Sequence, residues 1–574
     1  MSAPDVELVT EGDPSSDAAL WRRFGGVAGD DVKATAVYRM RLAGTAPDGF
    51  GLHLKPVIPP DMFRGEALMG DRWRIGHDRL QLEPGGVPWA QPAPSRHFAD
   101  RLHRFDWLGD LFGQGAAGAD RARFLVDNWI AAFGKFHGFY WRLAPTTARV
   151  WNWMLAGAAL FETGDEDACK LRLAVVARQI RHVEAGYEGC NDPRARWRAA
   201  CILVAAALTL RGARGLETAS AQLEAECTAQ LLADGGHVCR SPQRTLEALA
   251  DLLVLRDLLD RAGRTVPSFF EKWIPRMVSM VSFFRTGDGA LCAFNDGGES
   301  RPEAVEAVLD HQDGAARRFS FAMKSGFQKL QAHELSLVLD AGAAPPRPYG
   351  GHAHAGALGF ELSDGPARIV SSCGFSPEIS LDWQAAVRRT AAHSTLGLAG
   401  RDSAAFERFE ATRLLVPIGP EGISAKRLEE ANEIWLDAQH AGWKSSFGLI
   451  HRRRLFMSGD GERLTGEDAL VRPISQGLDE EGSFIGFDIR FHLHPSVTAL
   501  VTGDAIQLKC ENGALWRFRT THAEARLESS RYLGRGLVES TEQIVMSGRA
   551  DRNGDGSEPP NCVRWVFRRE KAAG

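Results

Sequence analysis

Near residue 315 the periodicity of this chain changes, and that change constrains the fold more than any single motif does. Before it, apolar residues recur at helical spacing in seven successive segments, near 119–135, 146–163, 166–184, 193–212, 215–233, 242–262 and 267–285. After it, runs such as FQKLQAH, LSLVLDAG, EIWLDAQH, LIHRRRLFMSG and FIGFDIRFHLH alternate apolar and polar residues, with Gly, Asp, Asn and Ser between them. Helices first and strands second predict segregated layers, an α+β multidomain chain whose second half is an antiparallel sandwich. Three parts follow: a tail and small N-terminal module over 1–100, a helical domain over 101–312 and a β domain over 313–574.

Local signals support the helical half. In SPQRTLEALADLLVLRDLLD, Ser241 can accept from free N–H groups and Pro242 suits the first helical position. Ala248, Leu252, Leu255 and Leu259 then form one stripe, with Leu246, Leu249 and Leu253 beside it. Asp192 and Pro193 repeat that logic ahead of RARWRAACILVAAALTL.

Charge narrows the partners. With 68 basic and 73 acidic residues the formal net charge is −5, so no overall attraction to nucleic acid or acidic membranes is expected. No segment reads as long and apolar enough to span a membrane. The acidic start lacks a basic n-region followed by an apolar h-region, and nine cysteines without CxxC spacing fit reduced thiols. A cytoplasmic protein is therefore expected, with the periplasm or cell envelope as the alternative, and a homodimer is compatible with the pattern.

Candidate chemistry gathers at a few places. The stretch YGGHAHAGALGFEL reads as a strand on which His352 and His354 share a face with Leu358, Phe360 and Leu362, aiming both imidazoles at the edge of a core. With His393 in AAHSTLGLAG they could bind zinc, or serve as bonded core histidines. Asn191 lies beside one helix start, and His237, Arg240 and Arg244 surround another, where N–H groups and guanidinium would favour a carboxylate or sulfate; caps and solvated charges are the plainer alternative. Trp141, Arg149 and Trp151 combine aromatic faces with a guanidinium, a pairing suited to acidic sugars and equally to a core. The second HxH, His492 and His494, reads as packing.

The stretches LHRFDWLGDL, WRLAPTTARVWNW, LLADGGHVCRSP, SGFQKL, GHAHAGALGFELSDG, AAHSTLGLAG and IHRRRLFMSGDGERLTGEDAL, in order from about residue 60 to about 500, resemble the heparinase II/III family of polysaccharide lyases. The resemblance implies an incomplete (α/α) toroid followed by an antiparallel β-sandwich. It also implies a carbon–oxygen lyase that cleaves uronic-acid polysaccharides, glycosaminoglycans among them, by β-elimination. Such a reaction removes the C5 proton and expels the 4-linked sugar, so it needs a neutralised carboxylate, a base and an acid.

By that resemblance Asn191 matches the neutralising Asn and His352 the catalytic His of HxH, while His354 and His393 match the histidines of a structural zinc. Two positions depart from the family. The catalytic Tyr expected two residues beyond Ser241-Pro242 is Arg244, and the expected zinc aspartate falls on Ser371 and Ser372. The sequence thus favours a divergent lyase with Asn191, His237 and His352 as its catalytic set. Arg240, Arg244, Trp141, Arg149 and Trp151 would bind substrate, no cofactor would be required, and the zinc site would be incomplete. Acidic-glycan binding without catalysis is the alternative; a hydrolase would need a carboxylate pair that nothing in the sequence singles out.

Overall fold

The computed structural model describes residues 36–45, 47–136, 138–311, 316–409, 414–473, 484–521 and 523–570. The chain divides into two compact units, one of residues 2–230 with 249–274, the other of 231–248 with 275–574.

The seven long helices stand where the periodicity put them: Gly115–Phe133, Leu143–Phe161, Glu166–Gly186, Pro193–Leu210, Leu216–Gln230, Pro242–Arg261 and Ser268–Phe284. Asp192 caps its helix by accepting from the N–H groups of Arg194 (2.9 Å) and Ala195 (3.3 Å). In the first unit Leu125, Val126, Trp129, Trp153, Val176 and Ile180 are buried, and consecutive helices pack on one another. A two-stranded hairpin, Arg72–Ile75 with Asp78–Gln81, precedes them. No helix among the described residues is long and apolar enough to cross a membrane. All nine cysteines are free thiols.

The strand-rich unit holds two large sheets whose described pairings are all antiparallel. One runs Ser424–Glu430, Glu433–His440, Ile450–Met457, Arg463–Val471, Cys562–Glu570, Leu515–Thr521, Ala505–Lys509 and Thr498–Thr502. The other runs Ala525–Tyr532, Glu539–Asp551, Phe484–Leu493, Ala367–Ser371, Phe360–Asp364, Leu335–Asp340, Phe327–Ala332 and Phe321–Ala322, with Leu396–Leu398 also paired to Phe484–Leu493. Their inner faces share one core, in which Leu337, Leu362 and Phe491 meet Leu436, Leu455, Trp516 and Trp565. The architecture is the expected toroid followed by a β-sandwich.

Strand parity puts charge into this core. In Ile450–Met457 every second residue is buried, so His451 and Arg453 point inward with Leu455 and Met457. The neighbouring strand answers with Asp468, which accepts from His451 Nε2 (2.7 Å), Arg453 Nε (2.7 Å), Arg453 Nη2 (3.0 Å) and Trp565 Nε1 (2.8 Å). Gly466 makes room for that tryptophan: a Cβ there would lie 2.1 Å from the Trp565 ring. Burial costs an ion pair dearly unless its hydrogen bonds are filled, and here they are.

Candidate functional site

The strand expected for His352 and His354 is not formed. Tyr349–His352 is a 3-10 turn, the strand begins only at Phe360, and Leu358 takes a positive φ of 59° that breaks the alternation between them. Distant groups hold this loop. Arg453 Nη1 donates to the carbonyls of Leu358 and Ser394, both at 2.8 Å. Arg388 Nε donates to Ala353 O (2.9 Å), and the His354 N–H donates to Asn295 Oδ1 (3.1 Å). His354 is therefore buried while His352 is half-buried, its ring 6.1 Å from that of Phe375.

Asn295 also ties this loop to the segment carrying His237, Arg240 and Arg244, for its Nδ2 donates to Arg240 O at 2.7 Å. The same segment is anchored by Asp234, which accepts from the N–H groups of Lys324 (2.8 Å) and Ser325 (2.7 Å). Gly235 is needed there, since it has φ +93° and an added Cβ would stand 2.2 Å from Arg276 O. The structure thus brings His237, Arg240, Arg244, His352 and His354 into one unit through Asn295. Asn191 belongs to the other unit, where it is exposed beside the capping Asp192.

Arg240 and Arg244, expected to bind substrate, are held instead by partners within the protein. Arg240 is buried, ion-paired with Asp340, and donates to Ser325 O (2.8 Å) and Ala343 O (3.1 Å) while lying 4.7 Å over the Phe327 ring. Its guanidinium is engaged by Ser325, Asp340 and Ala343 within the fold. Ser241 caps as expected, accepting the Arg244 N–H, but the Arg244 side chain is ion-paired with Glu247 and lies 3.7 Å from Asp296. Two carboxylates already match its charge.

The aromatic set is corrected as well. Trp141 is buried with Nε1 on Phe133 O, and Trp151 is buried with Arg198 over its ring. Arg149 is 0% exposed; it donates to Gln179 Oε1 (2.6 Å), His103 O (3.0 Å) and Tyr140 O (3.1 Å), and burial lowers its pKa to about 9. These three residues are core, with no face left for a sugar.

His237 is buried. Its Nδ1 accepts the Cys239 N–H at 3.2 Å and stands 2.9 Å from Cys239 Sγ. The second HxH is structural: His492 Nε2 donates to Ala391 O (3.0 Å), and His494 Nε2 donates to Glu299 Oε1 (2.7 Å).

The rings of His354 and His393 lie 5.1 Å apart, tilted by 55°, and both nitrogens of the first and Nε2 of the second have no hydrogen-bond partner. Burial holds the pKa of His354 well below the usual histidine range and lowers that of His393 to about 4. Two neutral imidazoles supply half of a zinc's four ligands. Among the described residues no group of three His, Cys, Asp or Glu side chains could hold a metal, and Ser372 spends its hydroxyl on Ala293 O. This donor set does not fit a structural zinc.

Residues 314–566 match the family model for the heparinase II/III-like C-terminal domain. FtsZ-localized protein C of Caulobacter vibrioides is 32% identical over 546 residues, spanning 92% of this chain and 93% of that protein. Among solved structures, heparinase III superposes with a TM-score of 0.66 at 15% identity, covering 93% of this chain and 88% of its own. The heparan sulfate lyase HepC from Pedobacter heparinus superposes with a TM-score of 0.55 at 14% identity, covering 94% and 88%. At such identities these structures speak for the fold alone.

Proposed function

This chain belongs to the heparinase II/III family, and on that premise we propose that it is a non-eliminating member, a lyase-fold protein that recognises an acidic polysaccharide without cleaving it. The observation that carries this reading is Arg244. Elimination needs a group that takes and returns protons near neutral pH, and a guanidinium, which keeps its proton, does neither. Its pairing with Glu247 and Asp296 also keeps it from serving as a free carboxylate clamp. His237 offers little in its place, being buried with Nδ1 already accepting a backbone N–H.

A second reading keeps β-elimination and gives the proton to His352, the half-buried imidazole that stands outside the His354–His393 pair. The two readings separate on a panel of uronic-acid polysaccharides followed by the ultraviolet absorbance of the unsaturated product. The unchanged protein should yield none. Absorbance that grows with time and vanishes in His352→Ala would establish the second reading instead.

The Caulobacter relative is named for its localisation with FtsZ, and identity over nearly the whole of both chains supports the same placement here. We propose that this chain also localises with FtsZ, in the cytoplasm. Sedimentation of polymerised FtsZ should carry it into the pellet, whereas unpolymerised FtsZ should leave it in the supernatant. A chain that stays in the supernatant in both cases does not bind the polymer.

A further inference from the structure

With Arg240 and Arg244 spent on internal carboxylates, cationic groups free to meet an acidic ligand must be sought elsewhere. The strand-rich unit has an open cavity of about 1040 Å3 lined by Arg389, Arg401 and Lys444, by Asp402 and Glu421, and by the strand ends and loops around Ser403, Phe406 and Trp443. None of the candidate histidines or arginines of the preceding site lines it.

Its walls are fixed by bonds independent of any ligand. Trp443 Nε1 donates to Asp402 O (3.1 Å), the Thr390 N–H to Asp402 Oδ1 (2.8 Å) and the Ser403 N–H to Thr390 Oγ1 (2.8 Å). The two loops approach so closely at Gly442 that a Cβ there would lie 2.2 Å from Ser403 O. Such a frame loses little entropy when a ligand enters.

The charges on this frame are unevenly matched. Arg389 pairs with Asp402 at 2.7 Å and lies 5.5 Å from the Phe406 ring centroid. Arg401 and Lys444 are exposed and have no carboxylate in ion-pair distance among the described residues, which leaves two unmatched cations against Glu421. The volume is at the upper end of the range of about 300–1,000 Å3 typical of ligand pockets, room for more than one sugar ring. The exposed Ser445 and Ser446 add hydroxyls of the kind that hydrogen-bond to sugars.

We propose that this cavity binds the carboxylates of an acidic oligosaccharide, with Arg401 and Lys444 as its anion-binding groups. The proposal rests on the acidic-glycan reading above and locates that binding in the sandwich. A galacturonate trisaccharide is the probe, titrated calorimetrically at low salt, with maltotriose as the uncharged comparison. The double reversal Arg401→Glu with Lys444→Glu should weaken binding about 100-fold, the loss expected for charge-assisted contacts replaced by repulsion. Lys324→Glu with Lys509→Glu, which changes net charge equally at exposed lysines outside the cavity, should stay within about twofold of the unchanged protein. Both pairs are exposed, so unchanged melting temperatures verify their folds. Trisaccharide binding that survives the Arg401 and Lys444 reversal, or falls equally in the control pair, overturns this site and leaves glycan recognition standing. A protein that binds no acidic trisaccharide at all overturns both.

Discussion

Asp468→Asn should unfold the strand-rich unit at a temperature well below that of the unchanged protein, with a loss of about 3–5 kcal/mol. Arg453 and Asp468 are both 0% exposed in side chain, and the guanidinium has no water to turn to when its carboxylate is lost. The pair is worth more than its own attraction, because every nitrogen of the guanidinium donates and both carboxylate oxygens accept. The remaining Arg453 nitrogen holds the carbonyls of Leu358 and Ser394, and His451 and Trp565 close the carboxylate side. An asparagine keeps the shape, removes the charge and turns an amide nitrogen toward one of those donors. The loop bearing His352 and His354 should loosen with the core, so faster hydrogen exchange at the Leu358 and Ser394 neighbourhood is expected beside the lower melting temperature. Replacing both partners, Arg453→Met with Asp468→Leu, removes the unpaired charge but leaves His451, Trp565 and the Leu358 and Ser394 carbonyls without partners, so the double variant should stay well below the unchanged protein in melting temperature.

Acidification should destabilise the same unit steeply between pH 6.5 and pH 4, beginning well above the range in which ordinary carboxylates titrate. Burial depresses His492 to about 3 and His393 to about 4, and holds His354 and His440 well below the usual value of 6.5. The tautomers of the central chain are fixed. His440 Nδ1 accepts the Gly442 N–H, so its Nε2–H faces His451 Nδ1, and His451 Nε2–H donates to Asp468. Because these folded values lie below the unfolded one, the unfolded chain takes up protons that the folded chain refuses. The stability is whole above pH 6.5 and is lost as pH falls toward the folded values. Each such histidine contributes about 1.4 kcal/mol per pH unit in that window.

Glu361 works in the opposite sense. Burial raises it to about 7, so the folded chain holds a proton that the unfolded chain releases, and acidification from pH 7 toward 4.5 favours folding by one group. Four histidines against one carboxyl leave a net loss that approaches about 4 kcal/mol per pH unit. Denaturation midpoints measured at half-unit steps should show this slope, and His492→Gln should reduce it by about 1.4 kcal/mol per unit. A flat profile from pH 7 to pH 5 would mean that these imidazoles are not held neutral by the fold.

The helices were legible because their signals are local. Ser241 with Pro242 and Asp192 with Pro193 sit within three residues of the N–H groups they serve. The central strands were legible for the same reason, since alternation in EIWLDAQH records one buried face. Ser424–Glu430 and Ala525–Tyr532 carry no such record. Each is a sheet edge, and SAKRLEE and ARLESSRY have almost no apolar stripe to read.

The site was less legible because its determinants are distant. Arg240 looked like a free cation until Asp340, a hundred residues downstream, proved to hold it. His352 and His354 left the expected strand because Arg388, Arg453 and Asn295 pin a loop there, and no spacing within YGGHAHAGALGF announces those three partners. Trp141, Arg149 and Trp151 show the limit of composition, because tryptophans beside an arginine make a sugar platform or a core with the same letters. By contrast, the departure at Arg244 was readable directly, and it carries the functional reading.

That reading turns on whether any group in this protein removes the C5 proton of a uronic acid. The direct measurement is exchange in heavy water: an oligouronate is incubated with the protein at high concentration, and deuterium at C5 is followed by proton magnetic resonance alongside the appearance of unsaturated ends. We expect the C5 signal to keep its full intensity and no unsaturated ends to form, with the oligouronate bound throughout. Loss of the C5 proton signal, with or without chain cleavage, would show that a base is in place and would contradict a non-eliminating protein.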